Sequence, residues 1–169
     1  FSLELGGDAP VLVFKDADLD AAVADIVGLK LANAGQICVA PNRVFVQEAI
    51  YDTFIEKAKD LMQSYRLLGE VGDGPELSPL CTEASLQQML EFCDPKMHGG
   101  TIVTGGKRVD CAGYFLEPTL IKDVDRDAKL TCEEIFGPIM PVMPFNDDED
   151  IFAAANDTVY GLSAYVYTQ

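Results

Sequence analysis

The run Pro10-Val11-Leu12-Val13-Phe14 constrains this chain most, because five apolar residues in a row give a strand no face to show to water. Such a run reads as a strand covered on both sides, and a strand of that kind needs layers above and below it. The residues that follow supply them. Leu19, Val23, Ile26, Val27 and the pair Lys30-Leu31 recur at helical spacing over residues 18–31, with Asp16 or Asp18 placed to cap the start. Residues 43–47 read as a strand and 50–65 as an amphipathic helix with Ile50, Phe54, Ala58, Leu61 and Met62 on one side. A helix over 83–92 ends before Pro95, and strands follow at 101–104 and 114–121, the latter either a strand interrupted by Pro118 or an edge strand. A strand over 138–143, a helix over 149–156 and a strand over 162–167 complete the alternation. Residues 2–5 read as a short opening strand ended by Gly6-Gly7, and 69–79 as a Gly/Pro/acid-rich loop unsuited to a core. The pattern predicts an α/β fold, a layered α/β/α domain with a mainly parallel sheet.

With 169 residues the chain is one domain long. It opens at Phe1 without an initiator methionine and stops inside a strand-like run. The expectation is therefore a single domain, residues 1–169, cut from a longer protein at both ends. The formal charge of −16, from 28 acids against 12 bases, argues against nucleic acid or an anionic membrane surface as partner. No apolar run reaches the ~20 residues of a membrane span. Five cysteines without a C-x-x-C pair resemble neither a zinc knuckle nor a disulfide scaffold, so a reducing, cytoplasmic setting is expected.

Chemistry narrows to Asn33-Ala34-Gly35-Gln36-Ile37-Cys38. This stretch joins a helix to a strand, the kind of connection where reactive groups sit. A free cysteine is most often a small buried hydrophobe, and Cys38 has that reading beside the nucleophilic one. The single histidine, His98, reads as a solvated or capping residue, and a lone histidine excludes a histidine-based zinc site. A carboxylate is then the expected base for a nucleophilic thiol. Glu4 stands out, an acid between Leu3 and Leu5 whose apolar surroundings would raise its pKa toward neutrality. Its alternative is an outward-facing strand residue. Gly6-Gly7, Gly72-Asp73-Gly74 and Gly105-Gly106 lack the spacing and setting of a phosphate cradle.

Taken together, Leu3-Glu4-Leu5-Gly6-Gly7, Asp16-Ala17-Asp18-Leu19-Asp20, the Cys38 stretch and Thr131-Cys132-Glu133-Glu134-Ile135-Phe136-Gly137-Pro138 resemble the aldehyde dehydrogenase superfamily. Tyr160-Gly161-Leu162-Ser163-Ala164 is a weaker match, and the resemblance runs over essentially the whole chain in the family's order. It implies NAD or NADP as cofactor, an aldehyde as substrate, Cys38 as nucleophile and Glu4 as the base that activates water. Glu134 would hydrogen-bond the nicotinamide ribose, Phe136 would pack by the nicotinamide, and the backbone near Leu5 would touch its carboxamide. The resemblance also implies a homo-oligomeric parent and a separate cofactor domain, so the isolated chain is expected to be inactive.

Some positions depart from the family. Asp8 stands where a non-acidic residue is usual. The surroundings of Cys38 and Pro41-Asn42-Arg43 look like the succinate-semialdehyde branch, yet Ala32 occupies the place of that branch's carboxylate-binding arginine and Ala40 that of a second cysteine. Glu4 itself favours hydrolysis to a free acid over transfer to coenzyme A. Two other readings are a non-catalytic interaction module and a thiol redox sensor at Cys38.

Overall fold

A computed structural model describes residues 1–3, 5–69 and 71–169. The apolar run forms β1 (Pro10–Val13) and leads into α1 (Leu19–Leu31), whose N-terminus is capped by Asp18 accepting from the Ala21 amide at 3.1 Å. Asp16 accepts instead from the Thr168 hydroxyl. A 3₁₀ turn (Ala32–Gly35) and a short loop reach β2 (Arg43–Gln47), followed by α2 (Glu48–Gln63). Next come β3 (Arg66–Leu67), β4 (Glu76–Leu77), α3 (Glu83–Phe92), α4 (Pro95–His98), β5 (Thr101–Thr104) and β6 (Thr119–Lys122). The remaining elements are α5 (Lys129–Cys132), β7 (Ile139–Phe145), α6 (Ile151–Asn156) and β8 (Tyr165–Tyr167).

Six strands form one sheet in the order β5-β6-β7-β2-β1-β8, parallel throughout except for the antiparallel pair β5–β6. This is the expected α/β fold with a mainly parallel sheet. Successive residues of β1 and β2 are buried, including Val11, Leu12, Val13, Val44, Phe45 and Val46, so both faces of the central strands are covered. α1 packs beside α2, which buries Phe54, Ala58 and Met62. Among the described residues no helix is long and apolar enough to cross a membrane.

Four local expectations change. Residues 2–5 are not a strand where the structure describes them: Leu3 and Leu5 are exposed and unpaired in any ladder, because β8 takes the edge beside β1. The 69–79 loop contributes to the core after all, since β4 pairs with β3 and buries Leu77. The strand expected over residues 114–121 starts only at Thr119, with an isolated bridge between Arg108 and Leu116 before it, and it lies inside the sheet between β5 and β7 rather than at an edge, which is possible because Pro118 falls just before its first residue.

The fourth concerns His98, which is buried at 1% exposure, its Nδ1 accepting from the Gly100 amide at 3.0 Å. Burial holds its imidazole below the ordinary 6.5, against the pull of the Cys93 carbonyl and Asp94. The unfolded chain therefore binds the proton first, and stability should fall as pH drops below about 6.5. Urea denaturation at pH 7.5 and 5.5 should show His98→Gln losing less stability on acidification than the parent chain. Equal losses would mean that His98 is not the titrating group.

Candidate active site

The site is built where α1 ends. Asn33, Ala34 and Gly35 all take left-handed backbone conformations, with φ of 50, 54 and 74°. Glycine does so freely, but for Ala34 the conformation costs about 1–2 kcal/mol. Gln36 holds the turn: its side-chain amide donates to the Asn33 carbonyl at 2.9 Å and the Pro79 carbonyl at 3.2 Å, and its Oε1 accepts from the Cys81 amide at 2.8 Å. Asn33 Nδ2 returns a bond to the Gln36 carbonyl. Gly35 is required twice over, since a Cβ there would collide with the carbonyl of Gly137 as well as demand a positive φ.

This turn delivers Cys38, half-buried, to the next turn of the loop. Gly7 passes directly beneath it, so closely that a Cβ would collide with the Cys38 carbonyl. The Gly7 amide donates to Glu134 Oε1 at 3.0 Å, joining residues 127 apart in sequence. Tyr165 of β8 donates its hydroxyl to the Val39 carbonyl at 2.9 Å. The result is an open cleft of about 410 Å³ lined by Leu5, Gly6, Gln36, Cys38, Glu134 and Phe136.

Four of the five residues singled out from sequence thus share one cleft: Cys38, Glu134, Phe136 and Leu5. The fifth, Glu4, lies outside the described residues. Phe136, at φ 51° and 45% exposed, and Leu5, 70% exposed, leave the mouth of the cleft apolar and open. A larger hollow of about 610 Å³ contains Arg43, Phe45 and Arg126 but none of these residues. Its guanidinium groups are committed, Arg43 to Asp8 and Arg126 to Glu149, so it offers no ready anion site.

Sequence reasoning missed the polar frame behind the cleft. Asp8, 3% exposed, accepts from Asn42 Nδ2 at 2.6 Å and from the Thr158 hydroxyl at 2.9 Å, and pairs with Arg43 Nε at 2.8 Å. Asn42 also donates to the Glu133 carbonyl and accepts from the Ile135 amide. One carboxylate thereby ties together the Gly6-Gly7 segment, the loop after Cys38, the Glu133–Ile135 stretch and the segment leading to β8. Its only signal in the sequence was an acid at an unusual place. Lys30 was visible as a lysine on the apolar stripe of α1. It is fully buried, and burial pushes its ammonium down to about 7 against the opposing pull of Asp8 and Glu134.

The model of the aldehyde dehydrogenase family matches residues 1–169. The chain is 42% identical to the succinate-semialdehyde dehydrogenase [NADP(+)] of Escherichia coli, over 99% of this chain and 35% of that protein. It is 44% identical to the mitochondrial succinate-semialdehyde dehydrogenase of Arabidopsis thaliana, over 99% of this chain and 32% of that one. Among solved structures it superposes on lactaldehyde dehydrogenase from Escherichia coli with a TM-score of 0.89 at 38% identity, covering 98% of this chain and 35% of that one. The NAD+ complex of the Bacillus cereus aldehyde dehydrogenase gives a TM-score of 0.91 at 35% identity, covering 98% and 34%. The chain spans about a third of the length of these relatives. With the family model matched end to end and Cys38, Glu134 and Phe136 gathered in one cleft, the chain belongs to the aldehyde dehydrogenase family.

Proposed function

We propose that this chain is the nucleophile-bearing part of an NAD(P)-dependent aldehyde dehydrogenase that oxidises an aldehyde to a carboxylic acid. The observation that carries this reading is the placement of the Cys38 thiol on a locked turn, in one open cleft with Glu134 and Phe136. That donor set fits a nicotinamide ribonucleoside: a carboxylate accepts from ribose hydroxyls, and an exposed flat ring shields an apolar face from water. When bound, the cofactor supplies an acceptor for the hydride that leaves the substrate carbon. Most of its binding surface belongs to a domain outside this chain, and the chain alone turns over no aldehyde.

The chain's own residues do the rest. The Cys38 thiolate adds to the aldehyde carbon and forms a thiohemiacetal. The Cys38 backbone N–H donates to the oxyanion, a contact whose loss in such sites typically costs about 2.7–4 kcal/mol. After oxidation the acyl group is held as a thioester on Cys38. Glu4 takes a proton from water, which attacks the thioester and frees the carboxylic acid and the thiol. A homo-oligomeric parent in a reducing, cytoplasmic compartment suits this chemistry, which needs Cys38 kept as a free thiol.

Succinate semialdehyde is a second reading for the substrate, favoured by the identity to enzymes of that name. Against it, Ala32 offers no charge, and no lysine or arginine is among the described residues lining the cleft. A distal carboxylate would have to be met from outside this chain.

The deacylation step provides the test. In a protein carrying this chain with its cofactor domain, Glu4→Gln should release one equivalent of NAD(P)H and then stall, with an acyl adduct on Cys38 seen by intact-mass spectrometry. Steady turnover without an adduct would remove Glu4 from the mechanism.

A further inference from the structure

Cys38 occupies a central position of a β-turn, closed by the Ala40 amide donating to the Ile37 carbonyl at 3.0 Å. The chain before this turn is fixed by Gln36, whose side chain bonds the Asn33 and Pro79 carbonyls and the Cys81 amide. The chain after it is fixed at Asn42, through Asp8, the Glu133 carbonyl and the Ile135 amide. Between these anchors the Tyr165 hydroxyl reaches the turn itself and donates to the Val39 carbonyl at 2.9 Å. The peptide unit joining Val39 to Ala40 is therefore held at both ends, its carbonyl by Tyr165 and its N–H by Ile37. Tyr165 has a firm base, since it stands in β8 paired opposite Val11 of the buried strand β1. The Cys38 carbonyl is confined as well, because Gly7 lies against it.

We propose that Tyr165 is a positioning residue for Cys38: by holding the Val39 carbonyl it fixes the turn that aims the Cys38 thiol and backbone N–H at one substrate carbonyl. The inference rests on the functional reading above and goes beyond it, because Tyr165 is not among the residues that line the cleft. Both groups that act on the carbonyl come from Cys38, the sulfur on its carbon and the N–H on its oxygen. The backbone torsion φ of Cys38 aims the N–H, and the turn sets that torsion. A turn free to shift by about 1 Å would leave the thiol reactive but take the N–H off the oxyanion, an error that can cost about 100-fold. A hydroxyl 126 residues away in the sequence suits the task, because a strand paired in a sheet positions a group more firmly than a loop does.

The test uses the protein carrying this chain with its cofactor domain, and p-nitrophenyl acetate as an acylating probe. The Cys38 thiolate displaces p-nitrophenolate from this ester and keeps the acetyl group. No hydride passes, so the probe reads the nucleophile and its oxyanion contact alone. Iodoacetamide alkylates the same thiol by displacing iodide from a saturated carbon, with no oxyanion to stabilise. Tyr165→Phe removes only the hydroxyl and keeps the ring in β8. It should lower the rate constant of Cys38 acetylation about five- to tenfold, the scale of one lost hydrogen bond, and leave alkylation unchanged. Peptide mass spectrometry follows both reactions, and a rate constant, unlike an amplitude, does not depend on how much of the variant is folded. Tyr167→Phe deletes a hydroxyl of the same strand that makes no bond to the turn among the described residues, and it should change neither rate. An unchanged acetylation rate in Tyr165→Phe overturns the proposal. So does an equal change in acetylation and alkylation, which would report a loosened loop, and so does equal slowing by Tyr167→Phe. If the parent acetylates Cys38 and Tyr165→Phe matches it, only this inference fails. If the parent leaves Cys38 unacetylated, the functional reading fails with it.

Discussion

Cys38→Ser should reduce aldehyde turnover by on the order of 10⁴-fold or more, the scale set by losing a covalent nucleophile. Serine is nearly the same size, and Cys38 is only half-buried on a turn held by Gly35 and Gln36, so the fold should be unaffected. The loss is chemical. A hydroxyl needs a strong neighbouring base, and the one imidazole of the chain, on His98, is buried at the end of α4 and bonded to Gly100. A thiol forms its anion much more readily and needs less help. Stopped-flow detection of NAD(P)H, in the protein with its cofactor domain, checks the prediction. Iodoacetamide labelling should show one reactive thiol fewer. Turnover within tenfold of the parent would mean that Cys38 is not the nucleophile.

Asp8→Ala should destabilise the chain by about 3–5 kcal/mol, because it strands a buried cation rather than merely deleting a bond. Arg43 is 4% exposed, and without the Asp8 carboxylate its guanidinium keeps only backbone carbonyls, those of Ala154 and Ala155 at 3.1 and 2.9 Å and that of residue 8 at 3.4 Å, none of which carries a compensating charge. Asn42 and Thr158 lose an acceptor at the same time. In a chain of this size the loss corresponds to a fall in Tm of about 6–20 °C. Asp8→Ala combined with Arg43→Met should recover much of it, since removing both buried charges leaves neither uncompensated. Differential scanning fluorimetry on the single and double variants decides the matter. A single variant within about 2 °C of the parent, or a double variant worse than the single one, would show that the pair does not hold this frame together.

The legible parts of this molecule are those written in near neighbours. Val11 to Val13 are apolar on both sides and became a central strand. Ile26, Val27 and Leu31 recur every three to four residues and became the buried face of α1. Asn33 and Gly35, residues that tolerate positive φ, became the left-handed turn that carries Cys38. The misreadings share another cause. Leu3 and Leu5 look like strand residues, yet a strand exists only where a neighbour accepts its hydrogen bonds, and β8 holds that edge. Leu77 lies in a stretch rich in glycine and acids, and it is buried because Arg66-Leu67 pairs beside it. His98 reads as polar surface, but the turn into β5 folds it inward.

By itself, then, the amino-acid order determined the alternation of strands and helices, the parallel α/β architecture and the turn that presents Cys38. Each follows from hydrophobic periodicity or backbone preference within a few residues. Tertiary structure alone decided that Gly7 would bind Glu134, that Asp8 would gather Arg43, Asn42 and Thr158, and that Lys30 would lie fully buried. Those contacts join segments up to 150 residues apart, and which strands lie side by side is set by the packing of the whole sheet rather than by any local pattern.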